Sequence, residues 1–329
     1  MKLKILFNGF RHGHINGLYK KVLASDVAEC VGCVEPNEAA RREAIQKLGA
    51  TFSDMTYDEW LKTDIDAVAI GNAYGERGAM IIKALEAGKH VIADKPICTR
   101  IDELREIERL ATQKNLKVAC MLDLRYQPQT VKALEILDSG MLGEVRNIAF
   151  NGQHTLDYSS RPAWYFEEGM HGGTLNDLAI HGVDLVRMLT HKEFVKIDAA
   201  RVWNAYADKD PDFKDCALFM ARLEDNVGIL ADVSYSAPDR AFSLPSYWEF
   251  RIWCDKGMLC FNRPEAAVTV YRDGEKMPLR YTDLPVTGDY LTDFVHEIQS
   301  GESAMTENIL TSTKVALALQ EEAEKENAI

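Results

Sequence analysis

The sequence predicts the α/β class, with a parallel sheet in the first part of the chain and an α+β domain in the second. Three observations predict it. From residue 3 to about residue 122, short apolar runs alternate with amphipathic helical stretches, the rhythm of strands joined by right-handed helical crossovers. After about residue 125 that rhythm gives way to period-2 runs separated by turn signals such as Glu224-Asp225-Asn226, Asp255-Lys256-Gly257 and Arg272-Asp273-Gly274. Glycines and charged residues recur at the carboxyl ends of the first set of strands, where sheets of this class take their ligands.

The elements follow in order. Residues 3–9 form a strand ending at Gly9, and 14–24 a helix with Ile15, Leu18, Val22 and Leu23 on one side. A second strand, 27–34, runs into Glu35-Pro36, and an Ala/Arg/Glu-rich helix covers 37–48. Residues 65–70 are a third strand, and 77–87 a helix closed by Gly88. Strand 90–93 leads into Asp94-Lys95-Pro96; helix 101–113 and strand 117–122 complete the parallel sheet. The second part opens with helix 128–139, ending at Gly140, and strand 145–154. An irregular stretch rich in Tyr, Trp and Gly fills 155–173, before a buried helix over 175–189. Strands are predicted at 195–204, 215–223, 227–236, 247–254, 258–262 and 267–272, then helices at 288–300 and 306–327. The expected domains are 1–123, binding a dinucleotide, and 124–329, for substrate and oligomerisation, with the closing helix able to return to the first. The second-domain sheet should be large, mostly antiparallel and open on one face, which a homodimer or homotetramer would cover.

A chain of 329 residues exceeds one ordinary core, so two domains are expected. No apolar run approaches the roughly 20 residues of a membrane span. The net charge of −13 argues against a nucleic-acid groove. The N-terminus is too short in apolar residues for a signal peptide, and a cytoplasmic location is expected. The seven cysteines, Cys30, Cys33, Cys98, Cys120, Cys216, Cys254 and Cys260, suit free thiols in a reducing compartment. Cys30 and Cys33 form a Cys-x-x-Cys within a strand, where a spacing of three places the side chains on opposite faces. No cluster has convincing metal-ligand spacing, so no metal is expected.

Lys95 is the first candidate for chemistry. An ammonium at the mouth of a buried strand must face a cleft or be paired, and Pro96 stops the ladder beyond it. On the nucleotide side, Gly9-Phe10-Arg11-His12-Gly13-His14 stands between the first strand and first helix, where a dinucleotide (Rossmann-type) loop belongs. It is not a clean Gly-x-Gly-x-x-Gly: Arg11 and His14 occupy glycine positions. Glu35 ends the second strand 26 residues after Gly9, near the spacing of an acid that bonds a ribose hydroxyl. The alternative is a surface acid at a strand end. A carboxylate there repels a 2′-phosphate, so NAD is expected over NADP. Gly71, Asn72, Tyr74, Arg77 and Asp94 lie on the same sheet edge and join the cofactor candidates. On the substrate side, Asp177 and His181 are four apart on a helix, where a carboxylate can orient an imidazole base; an ordinary surface pair is the competing reading. Asn176 lies beside them. Tyr158, Arg161, Trp164 and Tyr165 lie in the loop before that helix and suit ligand contact or packing at an interface.

Several of these segments together resemble the Gfo/Idh/MocA oxidoreductases. Residues 84–96 (ALEAGKHVIADKP) resemble that family's "AL-AGKHV-EKP", Asp123-Leu124-Arg125-Tyr126-Gln127-Pro128 its "N-x-R-F/Y-x-P", residues 139–145 its "SG-LGE-V" turn and 172–184 its "GG-L-D-G-H-D" helix. The resemblance implies hydride transfer between NAD(P) and a hydroxyl carbon of a sugar, cyclitol or related polyol. It implies that Lys95 bonds the reacting oxygen while Asp177 and His181 complete the site, His181 accepting the proton. Asp123, Arg125, Tyr158, Trp164 and Asn176 become substrate candidates. The chain departs from the pattern at Asp94, where the family has Glu, at Gly71–Arg77, where "TPN--H" is lost, and at Asp123, in place of Asn. Two other functions compete: a non-catalytic NAD-binding regulator of the same fold, and a glycosidase-like enzyme assisted by NAD.

Overall fold

A computed structural model describes residues 2–238, 244 and 246–325, which divide into two compact units. The first unit comprises residues 1–121, 168–172 and 288–314; the second comprises 122–167, 173–287 and 315–329.

The first unit is built on a five-stranded parallel sheet in the order β2-β1-β3-β4-β5. Its strands are β1 (Leu3–Asn8), β2 (Ala28–Val34), β3 (Ala67–Ile70), β4 (His90–Ala93) and β5 (Val118–Cys120). Between them run α1 (His14–Leu23), α2 (Glu38–Leu48), the single turn α3 (Tyr57–Trp60), α4 (Tyr74–Glu86) and α5 (Ile101–Lys114). Every residue of β3 is buried, as a parallel strand covered on both faces must be. The helices begin and end on local chemistry. Asn37 caps α2 by accepting from the Ala40 N–H, Thr56 and Glu59 close a capping box on α3, and Gly49 ends α2 in the left-handed region. With β2 on one side of β1 and β3 on the other, the order of winding reverses at the loop that begins at Gly9, the place where such sheets bind ligands.

One expectation about β2 fails. Ile5 pairs with Cys30 but Leu6 pairs with Gly32, so Val31 is an extra, bulged residue. A bulge removes one step from the side-chain alternation. Cys30 and Cys33 therefore do not lie on opposite faces; their Sγ atoms approach to 3.8 Å.

The second unit holds an eight-stranded sheet in the order β13-β12-β11-β10-β6-β9-β8-β7. The strands are β6 (Val145–Asn151), β7 (Phe194–Trp203), β8 (Cys216–Leu223), β9 (Gly228–Asp232), β10 (Glu249–Cys254), β11 (Gly257–Asn262), β12 (Val268–Arg272) and β13 (Leu279–Tyr281). All pairs are antiparallel except β6 with β9. The expected strand 227–236 stops at Asp232, and the three-residue β13, too short for a period-2 signal, was not expected. Helix α6 (Pro128–Asp138) and helix α7 (Ile180–Thr190) belong to this unit, and the aromatic ring of Phe150 on β6 touches the position where Gly182 of α7 would carry a Cβ, 2.1 Å away. Along β8, Ala217, Phe219, Ala221 and Leu223 are buried while Leu218 and Met220 are exposed, so one face is core and the other open. Helix α8 (Tyr290–Ser300) belongs to the first unit, and α9 (Ala304–Lys325) contributes residues to both. The predicted end of that last helix, beyond Lys325, lies outside the described residues.

Candidate active site

The predicted site residues fall into two groups, one in each unit. In the first, β1, β3 and β4 deliver Gly9, Gly71 and Asp94-Lys95 to the carboxyl edge of the sheet. Gly9 has φ +87°, and a Cβ there would stand 2.5 Å from the Asn72 backbone nitrogen. A Cβ on Gly71 would meet the Gly9 carbonyl at 2.4 Å. Both glycines are thus required by the close approach of two strand exits. Asn8 Nδ2 donates to Asn72 Oδ1 at 3.1 Å, and the Arg11 N–H donates to the Gly71 carbonyl at 2.9 Å, tying the same two loops together.

Phe10 turns its ring into a cluster with Phe7, Tyr19 and Phe52, leaving its backbone at the loop. That N–H donates to Glu35 Oε2 at 2.5 Å, and the Asn37 N–H donates to Glu35 Oε1 at 2.7 Å. Burial pushes the Glu35 carboxyl up, against the pull of those two N–H donors. Each oxygen keeps a further lone pair for a hydroxyl donor. Helix α1 starts behind Gly13 with no side-chain cap and no acid in its first turn, and a Cβ on Gly13 would meet nothing within 4 Å. An uncapped helix start with open space before it, beside a strand-end carboxylate, fits a pyrophosphate and a ribose diol. These residues therefore suit a dinucleotide of the NAD type.

Asp94 is fully buried and gathers three partners. His12 Nδ1 lies 2.5 Å from Oδ2, His14 Nδ1 3.1 Å from Oδ1, and Arg77 Nη2 3.1 Å from Oδ2. Burial alone would raise the Asp94 carboxyl; its partners His12, Arg77 and His14, with the hydrogen bond from His12, outweigh it and hold the group well below its usual range. Burial lowers His12 to about 4. A neutral His12 donates its Nδ1–H to the ionised, acceptor-only Asp94. The donor atoms of His12, His14 and Asp94 lie within 4.8 Å of one another. The Arg77 guanidinium on the same carboxylate oxygen makes this a hydrogen-bonded cluster, since a cation there would face an adjoining positive charge.

Arg77 has no exposed surface. Nε donates to the Asn72 carbonyl at 2.8 Å and Nη1 to the carbonyls of Lys95 at 2.5 Å and Pro96 at 3.1 Å. Arg77, expected among the cofactor residues, thereby clamps the exit of β4. Lys95 is 3% exposed, and its Nζ stands 5.8 Å from the ring centre of Tyr74. Tyr74 also carries Arg77 at 4.5 Å, and His12 and His171 approach its ring at 5.3 and 5.7 Å. Tyr74 thus stands among Lys95, Arg77, His12 and His171.

In the second unit the helix expected over 175–189 begins as a π-helical turn, Leu175–Ala179, before continuing as α7. Such turns are rare and recur at functional positions. The start is pinned by the Leu175 N–H donating to Gln320 Oε1 at 2.9 Å, with Gly173 so close to that amide that a Cβ would lie 2.1 Å away. Asp177 is 1% exposed and accepts a short hydrogen bond from the Tyr235 hydroxyl. Burial, ahead of the neighbouring Asp177 charge, pushes the Tyr235 phenol well above its usual range, so it remains a donor. Arg161 lies over the rings of Tyr235 at 5.2 Å and Tyr165 at 4.8 Å and donates to the carbonyls of Leu156 and Thr155. His181, 4% exposed, packs edge-on to Trp248 with centroids 5.1 Å apart, and Asn176 of the π-helical turn is fully buried.

The substrate candidates divide. Arg125 forms a two-pronged pair with Asp184, Nε at 2.9 Å and Nη2 at 3.1 Å, bracing α7 in a geometry only a guanidinium provides. Asp123 is half exposed and accepts from Arg263 Nη2 at 3.3 Å. Tyr158 donates to Asp210, and Trp164 is buried against Tyr165 at 4.2 Å. Tyr235, Trp248 and Gln320 were missed. Their contacts reach across 58 residues or more of sequence for Tyr235 and Gln320, beyond any local pattern.

A parallel α/β unit whose strand ends suit a dinucleotide, carried in one chain with an open-sheet α+β unit, sets the class of fold. The comparisons with known proteins give the family. The domain described as "Oxidoreductase family, NAD-binding Rossmann fold" matches residues 9–121, and the "GFO/IDH/MocA C-terminal domain" matches residues 130–260. The chain belongs to the Gfo/Idh/MocA family, and its first unit is of that NAD-binding type. It is 28% identical over 167 residues to levoglucosan dehydrogenase of Pseudarthrobacter phenanthrenivorans, covering 49% of this chain and 41% of that protein. It is 29% identical over 171 residues to scyllo-inositol 2-dehydrogenase (NAD(+)) of Bacillus subtilis, covering 51% of this chain and 47% of that protein. The matched chain spans less than half the length of either relative. The fold is shared with myo-inositol 2-dehydrogenase from Lactobacillus plantarum, at TM-score 0.79 and 19% identity over 99% of this chain and 98% of that one.

Proposed function

We propose that this protein is an NAD-dependent dehydrogenase or reductase acting on a hydroxyl carbon of a sugar, cyclitol or related polyol. The observation that carries the reading is Lys95, an ammonium 3% exposed at the ligand-binding edge of a parallel sheet, on a strand exit clamped by the buried Arg77. Sequence relatives named as sugar and inositol dehydrogenases support it.

The roles follow from the chemistry. The nicotinamide, when bound, supplies the redox step. Lys95 holds the reacting oxygen and stabilises the charge that develops as its proton leaves. His181 takes that proton, and Asp177, held by Tyr235, adds a carboxylate whose position is fixed. Glu35 accepts from the ribose hydroxyls and disfavours a 2′-phosphate, while the start of α1 takes the pyrophosphate. Gly9, Gly13, Gly71 and Asn72 shape the loops around it. Asp123, Tyr158, Trp164 and Asn176 are the residues we assign to substrate recognition. We take the first unit as the nucleotide domain and the second as the substrate and oligomerisation domain. The exposed apolar side chains of β7 to β9 suit a homodimer or homotetramer, and seven free thiols suit the cytoplasm.

The test is a screen of sugars, inositols and sugar acids, following nicotinamide absorbance with NAD and NADP in parallel. Turnover of at least one polyol with NAD, lost in Lys95→Ala and His181→Ala, is expected. Undiminished turnover in either variant would overturn the mechanism.

A further inference from the structure

The bulge at Val31 gives β2 a feature that hydride transfer does not use. Cys30 and Cys33, both free thiols, face each other with Sγ atoms 3.8 Å apart. They are unequal partners. Cys30 is half-buried, whereas Cys33 is 1% exposed. The hydrogen bond from Cys33 lowers the Cys30 thiol against the effect of burial, and the same bond, with burial, raises Cys33. An accessible thiol of lowered pKa beside a buried one of raised pKa is the asymmetry of an attacking and a resolving cysteine. The site is also closely packed. Gly32, between the two, is covered by the Trp60 ring, whose Cζ2 would stand 2.5 Å from a Cβ there. Tyr19 of α1 lies against Cys33, its phenol pushed up to about 12, chiefly by burial.

The same strand end holds the nucleotide loop. The Val34 carbonyl accepts from the Gly9 N–H at 2.9 Å, and Glu35 accepts from the Phe10 N–H at 2.5 Å. Closing a disulfide would draw the two sulfurs to about 2 Å. That movement is borne by residues 30–33, next to the two residues that fix Gly9 and Phe10.

We propose that Cys30 and Cys33 form a redox-active thiol pair that closes to an intramolecular disulfide and thereby weakens NAD binding by the first unit. The effect on NAD rests on the function proposed above. The oxidant is a low-molecular-weight disulfide. The Cys30 thiolate attacks one of its sulfurs, the S–S bond breaks, and one half leaves and takes up a proton. Cys33 then gives up its proton and attacks Cys30 Sγ, expelling the second half as a thiol. Two electrons pass from the protein to the oxidant, which ends as two thiols.

The experiment uses the full chain treated with oxidised glutathione, with remaining thiols alkylated and the cross-links mapped by mass spectrometry. NAD binding is titrated before treatment, after it, and after reduction with dithiothreitol. A Cys30–Cys33 cross-link and a Kd for NAD raised at least about fivefold, restored on reduction, are expected. The Cys30→Ser, Cys33→Ser double variant should bind NAD as the reduced protein does and ignore the oxidant. Residues 30 and 33 left free while other cysteines react, or a cross-linked protein that binds NAD undiminished, overturns the proposal. Failure of the reduced protein to bind NAD would sink the parent reading and the effect on NAD, while the mapped cross-link still decides whether the pair is redox-active.

Discussion

The Tyr235 hydroxyl donates to the Asp177 carboxylate across 58 residues of sequence, joining the segment after β9 to the π-helical turn that precedes α7. Both groups are buried, and Arg161 lies over the tyrosine ring at 5.2 Å. An ionised carboxylate deprived of a donor in such a place is left undersolvated, at about 1–3 kcal/mol. Tyr235→Phe keeps the ring and removes only the donor. It should lower the thermal midpoint modestly and reduce kcat by roughly tenfold to a hundredfold, with KM for NAD unchanged because the nucleotide residues lie elsewhere. Steady-state kinetics with both substrates varied measures the split; an unchanged kcat would show that Asp177 does not depend on the phenol.

Arg77 and Asp94 are each without exposed surface, and Arg77 also serves the carbonyls of Asn72, Lys95 and Pro96. Removing one partner of a buried pair typically costs about 3–5 kcal/mol. Arg77→Met should therefore shift the urea midpoint strongly downward. Arg77→Lys should not restore it, since one ammonium cannot reach four acceptors with the fork geometry of a guanidinium. Recovery in the lysine variant would reduce Arg77 to a point charge.

The cluster on Asp94 makes stability depend on pH. His12 is lowered to about 4, chiefly by burial, from an unfolded value of 6.5. A folded pKa below the unfolded one means the unfolded chain binds the proton first as pH falls. Stability is then full above about pH 6.5 and is lost on going down to about 4, by on the order of 3 kcal/mol for a shift of this size. Asp94, held well below its usual range, adds a second loss only below about 3.8. His12→Asn should flatten the upper part of the profile while leaving the acid limb. Urea midpoints across that range measure both, and an unchanged slope in the variant would assign it to other groups.

Much of this was legible in the sequence, and the misses have physical causes. The strands β1, β3 and β4 announced themselves because buried parallel strands are continuous apolar runs ending in glycine or charge. Glu35, Asp94 and Lys95 were legible as charges at those ends. The pairing of Cys30 with Cys33 was not, since a bulge is a property of the register with β1 and leaves no mark in a spacing of three. The pairing of Arg125 with Asp184 was not legible either, because the two lie 59 residues apart. Tyr235 fell inside the expected strand 227–236, and nothing local distinguishes a tyrosine that packs from one that holds a carboxylate.

The open face of the second-unit sheet carries the remaining prediction. Met220 of β8 pairs directly with Leu230 of β9, and they are 52% and 53% exposed; Val195 and Leu218 extend the apolar surface. Their alternates Phe219, Ala221 and Ala231 are buried, so the exposed set forms one face. Contiguous apolar surface of this kind marks an association site. Sedimentation of the protein should give a dimer or tetramer of the 37.0 kDa chain. Met220→Glu with Leu230→Lys places opposite charges across the strand pair, which keeps the sheet while opposing burial of the face. That double variant should sediment as a single chain with an unaltered circular dichroism spectrum. A wild-type mass of one chain would show that this face stays open to water, and an assembly that survives the double variant would move the interface to another surface.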